Sequence, residues 1–287
     1  MKNSQIVLIA VALIGIVLVF QFGNIIKPKS DKVGTTEEVH GPNDGHNHDE
    51  DVVPADINKI IDAAKKRLQP ALSARIVLME QSITRGDLSH QKAVLYDSIA
   101  RIWQSAKQEK IAAYYFGESG KLENSEKKLN FAGHLLFEEL KEEPDPAIRK
   151  MMIALGTEYY TKSLAINPNN EETILESSQF YIEGAGEAMK GVGQLLALVE
   201  KEPGNIPANT VLGRMAVESG QYDKAIERAD KMIKLYPKLL EPYLFKAEAL
   251  KRNNQKEAAI AVFESAKKIA DNPEFSKDVD NYIQTFK

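Results

Sequence analysis

Cysteine is absent from this chain of 287 residues, tryptophan occurs once, and aromatic residues make up only 7%. Without cysteine there is no disulfide framework, no thiolate nucleophile and no Cys-ligated zinc. No stripe of Lys and Arg interleaved with aromatics is present either, which argues against nucleic acid as a partner. The signatures H-E-x-x-H and G-x-S-x-G are missing. Gly184, Gly186, Gly191 and Gly193 in EGAGEAMKGVGQ suggest a phosphate cradle, but no strand precedes them and no Lys-Ser/Thr follows. His90 and His134 stand isolated, with no evident Ser, Asp or Cys partner. No group of residues could place a nucleophile, a base and an oxyanion site together. The expectation is therefore a chain that is not an enzyme, with no cofactor and no small-molecule substrate.

The net charge of −4 is concentrated. Residues 27–54 hold three Lys against seven acids, so the remainder is close to neutral. Before them, residues 6–20 (IVLIAVALIGIVLVF) are uninterruptedly apolar. Extended to Ile26, this stretch gives about 31 Å of helix, the thickness of a hydrocarbon core. A cleaved signal peptide is the competing reading, but no A-x-A-like site follows Phe20. Residues 1–26 are thus expected to form a transmembrane signal-anchor. Lys27, Lys29 and Lys32, taken literally by the positive-inside rule, leave the body in the cytoplasm. The five-residue tail before a long apolar run instead resembles a bacterial signal-anchor whose body is exported. The expectation is a single pass in a bacterial inner membrane with a periplasmic body; a cytoplasm-facing scaffold is the alternative.

Residues 27–54 form an acidic linker without apolar periodicity, long enough to span roughly 30 Å as a flexible coil. His40, His46 and His48 lie among its acids and could hold Zn²⁺ or Cu²⁺ loosely. A plain solvated spacer is the favoured reading, because a flexible loop offers no preorganised ligand geometry.

From residue 55 the apolar spacing is helical. A helix is expected from Pro54 to about Gln69, restarted or kinked at Pro70 and broken at Gly86-Asp87. One long helix follows from about Ser89 to Phe116, a turn over Gly117–Gly120, and a helix from Leu122 to Lys141. Ala112, Tyr115 and Gly120 give residues 55–167 the look of degenerate helical pairs, and INPNN ends this region. Trp103, Tyr114-Tyr115-Phe116 and Tyr159-Tyr160 are read as core between helices.

A repeat is clearest over residues 206–239, two short amphipathic helices joined at Ser219-Gly220 and stopped by Pro237. Adding 34 takes Ala225 to Ala259, Ile226 to Ile260, Ala229 to Phe263 and Met232 to Ala266. Subtracting 34 takes them to Gly191, Leu195 and Leu198, and Pro237 to Pro203. Small, then bulky, then proline at this period resembles the tetratricopeptide repeat, with three copies over 172–273. The usual first-helix aromatic is Tyr243 in the third copy but Asn209 and Leu175 in the others. The resemblance implies an all-α, right-handed superhelix of helix-turn-helix pairs, here with an N-terminal transmembrane helix. Residues 274–287 are expected to cap it.

The resemblance also implies a concave wall lined by first helices, which binds other proteins. Its pattern selects Thr173, Glu176, Phe180 and Glu183, then Thr210, Arg214 and Val217, then Glu241, Leu244, Glu248, Lys251 and Arg252. Members that clamp a C-terminal carboxylate carry Lys and Asn where Glu176 and Phe180 stand, so that clamp is not carried over. An anchor, a spacer and a repeat body together resemble the ancillary subunit of the bacterial Sec translocon and repeat proteins of the Bacteroidota. The expected role is a membrane-tethered, chaperone-like interaction module for membrane-complex subunits or exported chains. Metal capture by the linker is a further alternative.

Overall fold

A computed structural model describes residues 52–85 and 88–287. The expected anchor and His40, His46 and His48 lie outside the described residues. Among the described residues all regular structure is helical, and no helix is long and apolar enough to cross a membrane.

The first helix, α1 (Ile57–Lys65), begins three residues later than Pro54 suggests. Asp56 caps it, its carboxylate accepting the Asn58 N–H at 2.9 Å. Pro70 opens α2 (Pro70–Arg85) rather than kinking a longer helix, because its missing N–H costs nothing in a first turn.

The expected long helix from Ser89 to Phe116 is two helices, α3 (Ser89–Ser105) and α4 (Glu109–Glu123). Lys107 takes a left-handed conformation (φ 56°), and the Gln108 N–H bonds back to Trp103 O at 3.0 Å. The same closed turn recurs at Gly220 (φ 74°), where Gln221 bonds to Ala216 O, and at Asn254 (φ 59°), where Gln255 bonds to Leu250 O. A Lys in this conformation costs about 1–2 kcal/mol relative to glycine and carries no glycine signature, so sequence alone hides the turn. The expected turn at Gly117–Gly120 is correspondingly absent. Both glycines lie inside α4, which ends instead at left-handed Asn124.

The chain continues through α5 (Glu126–Glu142) and the long α6 (Pro146–Ile166). Next come α7 (Glu171–Gln179, extended by a π-helical turn over Phe180–Gly184) and α8 (Ala188–Lys201). Then follow α9 (Ile206–Glu218), α10 (Tyr222–Leu235), α11 (Glu241–Arg252), α12 (Lys256–Ala270) and α13 (Pro273–Gln284). From α3 to α12 the helices pack as successive antiparallel hairpins. Five residues after the left-handed positions 107, 186, 220 and 254 stand Ala112, Gly191, Ala225 and Ala259, all buried. At each the second helix lies against the first. A Cβ on Gly191 would come within 2.4 Å of Ser178 O.

Asn209 replaces the first-helix aromatic without leaving polar atoms stranded. Its amide donates to Pro203 O and Asn205 O at 3.0 and 2.7 Å and accepts from Arg228 at 2.7 Å.

The core changes character along the chain. One continuous apolar cluster runs from Ile61 to Tyr181, rich in aromatics. Beyond it, small separate clusters lie between successive hairpins, around Leu195 and Leu212, then Ala225 and Phe245, then Phe263 and Ile283. That is the nearest-neighbour stabilisation expected of a stacked array.

Gly117 shows how tight the first block is. A Cβ there would stand 2.1 Å from Cζ of the fully buried Tyr159. Gly117→Ala is therefore expected to lower stability by about 1–3 kcal/mol in urea unfolding followed by circular dichroism. Gly193 on α8 has no atom within 4 Å of such a Cβ. Gly193→Ala should raise stability by roughly 0.5–1 kcal/mol through helix propensity. Equal effects of the two substitutions would contradict this packing.

Candidate protein-binding groove

The first helices of successive hairpins run side by side in one direction. Glu126 of α5 accepts from Asn170, the N-cap of α7, and His134 faces Glu176. Further along the same pair, Phe137 packs on Phe180 at 6.1 Å, and Leu140 meets Gly184. Glu171 of α7 accepts from Asn205, the N-cap of α9, at 2.6 Å, and Gly213 of α9 receives the ring of Phe245 of α11. Glu248 of α11 meets Tyr282 of α13. The helices α5, α7, α9, α11 and α13 thus form one wall.

The expected wall residues divide into three groups. Three are interior. Thr173 is fully buried, because Asn170, held by Glu126, draws the first turn of α7 against α5. Phe180 is fully buried because the π-helical turn, closed by the Ala185 N–H on Phe180 O, turns it inward. There its ring packs 5.3 Å from both Tyr160 and Tyr181. Val217 is buried beside Ala225, Ala229 and Phe245. These three cannot touch a partner, and the hydrophobic contact expected at Phe180 is withdrawn.

Glu248, Lys251 and Arg252 form the second group, tied to α13. Arg252 Nε donates to Glu248 Oε1 at 2.6 Å, and Tyr282 Oη donates to Oε2 at 2.7 Å. Lys251 donates to the Tyr282 hydroxyl, with its ammonium 4.4 Å from that ring's centroid and 5.4 Å from that of Phe286. Burial pushes the Glu248 carboxyl up, but the Tyr282 and Arg252 hydrogen bonds and the Lys251 charge outweigh this and hold it below its ordinary value. Leu244 is half-buried against the same terminal cluster.

The remaining residues stand toward solvent. Glu183 and Arg214 are exposed, and Glu176, Thr210 and Glu241 are half-buried.

Residues that sequence reasoning missed lie on α5 and α6. His134 is not isolated, since its Nδ1 stands 3.7 Å from Glu176 Oε1. Burial raises the Glu176 carboxyl, as do the Glu172 and Glu138 charges, while His134 and the Asn130 amide pull it back. Below them Tyr160 is fully buried, its phenol pushed well up by burial and by the Glu176, Glu138 and Tyr181 groups. The signal was obscured because Glu126 and Glu171 open their helices 45 residues apart, whereas Glu171, Ile206 and Glu241 follow at 35. A search at period 34 does not bring α5 over α7. The expected structural role of the glycine-rich stretch fits: Gly186 takes the left-handed turn and Gly191 the crossing.

Residues 216–277, from the last turn of α9 into α13, match the family model of the tetratricopeptide repeat. Among solved structures the chain is similar to YrrB, described as a tetratricopeptide repeat protein with an unusual peptide-binding site. The two share 14% identity and a TM-score of 0.47 over 71% of this chain and 97% of that one. It is also similar to a tetratricopeptide repeat protein from Parabacteroides merdae, at 15% identity and a TM-score of 0.48, over 80% of this chain and 84% of that one. No curated protein matches the chain.

The Glu248 network makes a prediction with a definite sign. A carboxyl held low when folded contributes stability above its ordinary value of 4.5 and loses that contribution as pH falls through the folded value. Glu248→Gln should cost about 1.5–3 kcal/mol at pH 7, the range for hydrogen bonds to a charged group. The gap between parent and variant should close on acidification. A gap unchanged from neutral pH to pH 3 would mean that charge is not what holds α13.

Proposed function

We propose that this chain, with its tetratricopeptide repeats, is a protein-binding module whose partner lies along the wall of first helices. The carrying observation is the uneven use of that wall. At its C-terminal end α13 engages Glu248, Lys251 and Arg252, whereas Glu176, Glu183, Thr210, Arg214 and Glu241 stand half or fully open upstream. Their mixture of charge signs suits orientation of a polypeptide partner rather than a purely apolar grip.

The apolar run of residues 6–20 supports a membrane tether, and the acidic linker after it supports a body free to range beside the membrane. On this reading the protein is an ancillary or chaperone-like subunit of an envelope complex such as the Sec translocon, with its body in the periplasm. Its work is to hold partner subunits or exported chains, without catalysis.

A photo-crosslinking amino acid at Arg214, used in cells with the full chain, should capture discrete membrane-complex subunits or exported chains. The same probe at Lys231, on the exposed side of α10, should not. Identical background from both positions would remove the groove reading. Alkaline phosphatase fused after Lys287 should be active and a fluorescent protein dark; the reverse would place the body in the cytoplasm.

A further inference from the structure

We infer that a polar pit between α5, α6 and α7 is a recognition pocket for the guanidinium group of an arginine side chain carried by the partner. The inference rests on reading the first-helix wall as a partner surface.

Seven buried side-chain polar atoms find no hydrogen-bond partner in the protein among the described residues, and five of them lie on these three helices. Tyr160 Oη and Thr173 Oγ1 belong to residues that are wholly buried, and they make the floor. Thr157 Oγ1 lies one turn before Tyr160 on α6. Asn130 Oδ1 and Glu176 Oε2 make the rim, where the Glu176 side chain is 27% exposed and that of His134 44%. The end of the Tyr160 ring lies against Gly133, where a Cβ would come within 2.8 Å of its Cζ. Its hydroxyl therefore emerges at the stretch of α5 that carries Asn130 and His134, and the Glu176 and Glu138 charges bear on it.

Buried polar groups in folded proteins are nearly always paired, so a concentration of unpaired ones needs an account. The carboxylate and amide oxygens only accept hydrogen bonds, and the three hydroxyls can do so. What completes the set is a group made of donors, and the Glu176 charge in a desolvated position selects a cation. The local acids do not answer one another. Glu138 is paired with Lys141 at 2.7 Å, whereas the basic group beside Glu176 is the His134 imidazole. Between the two biological cations, guanidinium fits better. It brings five donors in one plane and sheds water readily, whereas ammonium brings three and is strongly hydrated. The His134 ring and the half-exposed Glu176 leave the pit open to the wall rather than sealed within it.

The probe is N-acetyl-arginine amide, titrated into full chain labelled at histidine, with the His134 ring resonances observed by NMR. A saturable shift is expected. The uncharged isostere N-acetyl-citrulline amide should bind about tenfold more weakly or worse, as loss of charge-assisted hydrogen bonds implies. N-acetyl-lysine amide should also be weaker, and equal binding of it would overturn the guanidinium assignment. Glu176→Gln should abolish the shift, and Tyr160→Phe should weaken binding several-fold. Neither should lower the thermal midpoint of the unliganded chain, because Glu176 Oε2 and the Tyr160 hydroxyl have no partner in the protein to lose. If the arginine and citrulline probes behave alike, or both variants bind as the parent does, solvent alone completes these groups and the inference fails. Crosslinking from Arg214 that persists while the arginine probe does not bind would sink this pocket and leave the binding module standing.

Discussion

Each of these hairpins closes because its second helix presents a residue with almost no side chain where it crosses the first. Ala112, Gly191, Ala225 and Ala259 occupy that point, and each follows a left-handed turn by the same five residues. The two features depend on each other. The turn sets the angle and register of the second helix, and the small residue lets the backbones approach closely enough for flanking Leu, Phe and Met side chains to interdigitate. Larger side chains at these positions would push the helices apart and open every small cluster that joins one hairpin to the next. The C-terminal stack has little else to rely on, since its clusters are separate and modest.

The N-terminal half solves the same problem with more mass. Rings are seated on glycines: Tyr159 on Gly117, Tyr160 on Gly133 and Phe180 on Gly156. Each buried ring removes roughly 150–250 Å² from water, so a few such contacts bind α3 to α7 into one block. The arrangement needs α6 to be longer than its counterparts, and its added turns displace α5 relative to α7. The π-helical turn of α7 belongs to the same adjustment, for it brings Phe180 and Tyr181 into the interior as neighbours. The polar pit lies beside this aromatic block, where tightly fitted rings leave Tyr160 with its ring packed and its hydroxyl unanswered.

The wall of first helices therefore has two kinds of surface. Toward the C-terminus its charges are consumed by the chain itself, with Glu248, Lys251, Arg252 and Tyr282 joined in one hydrogen-bonded network. Upstream, Glu183 and Arg214 are exposed, and Glu176 is half-buried in a setting that raises its carboxyl. A uniform list of groove positions treats these residues as equivalent, whereas burial and pairing make them unlike.

What the sequence determined by itself was everything that depends on spacing within one hairpin or between identical ones. Helical type, the period of 34, the crossing residues 191, 225 and 259 and the turn at Gly220 all express a local rule repeated. The break at Lys107 escaped because its conformation lacks a residue-type signature and is enforced by the packing of α4 on α3. The tertiary structure alone decided that Phe180 and Thr173 are interior, that His134 meets Glu176, and that Glu248 answers Tyr282. Each of those depends on how two helices from different hairpins slide and rotate against each other. That offset is set by side-chain volumes summed over a whole interface, and no single window of residues contains it.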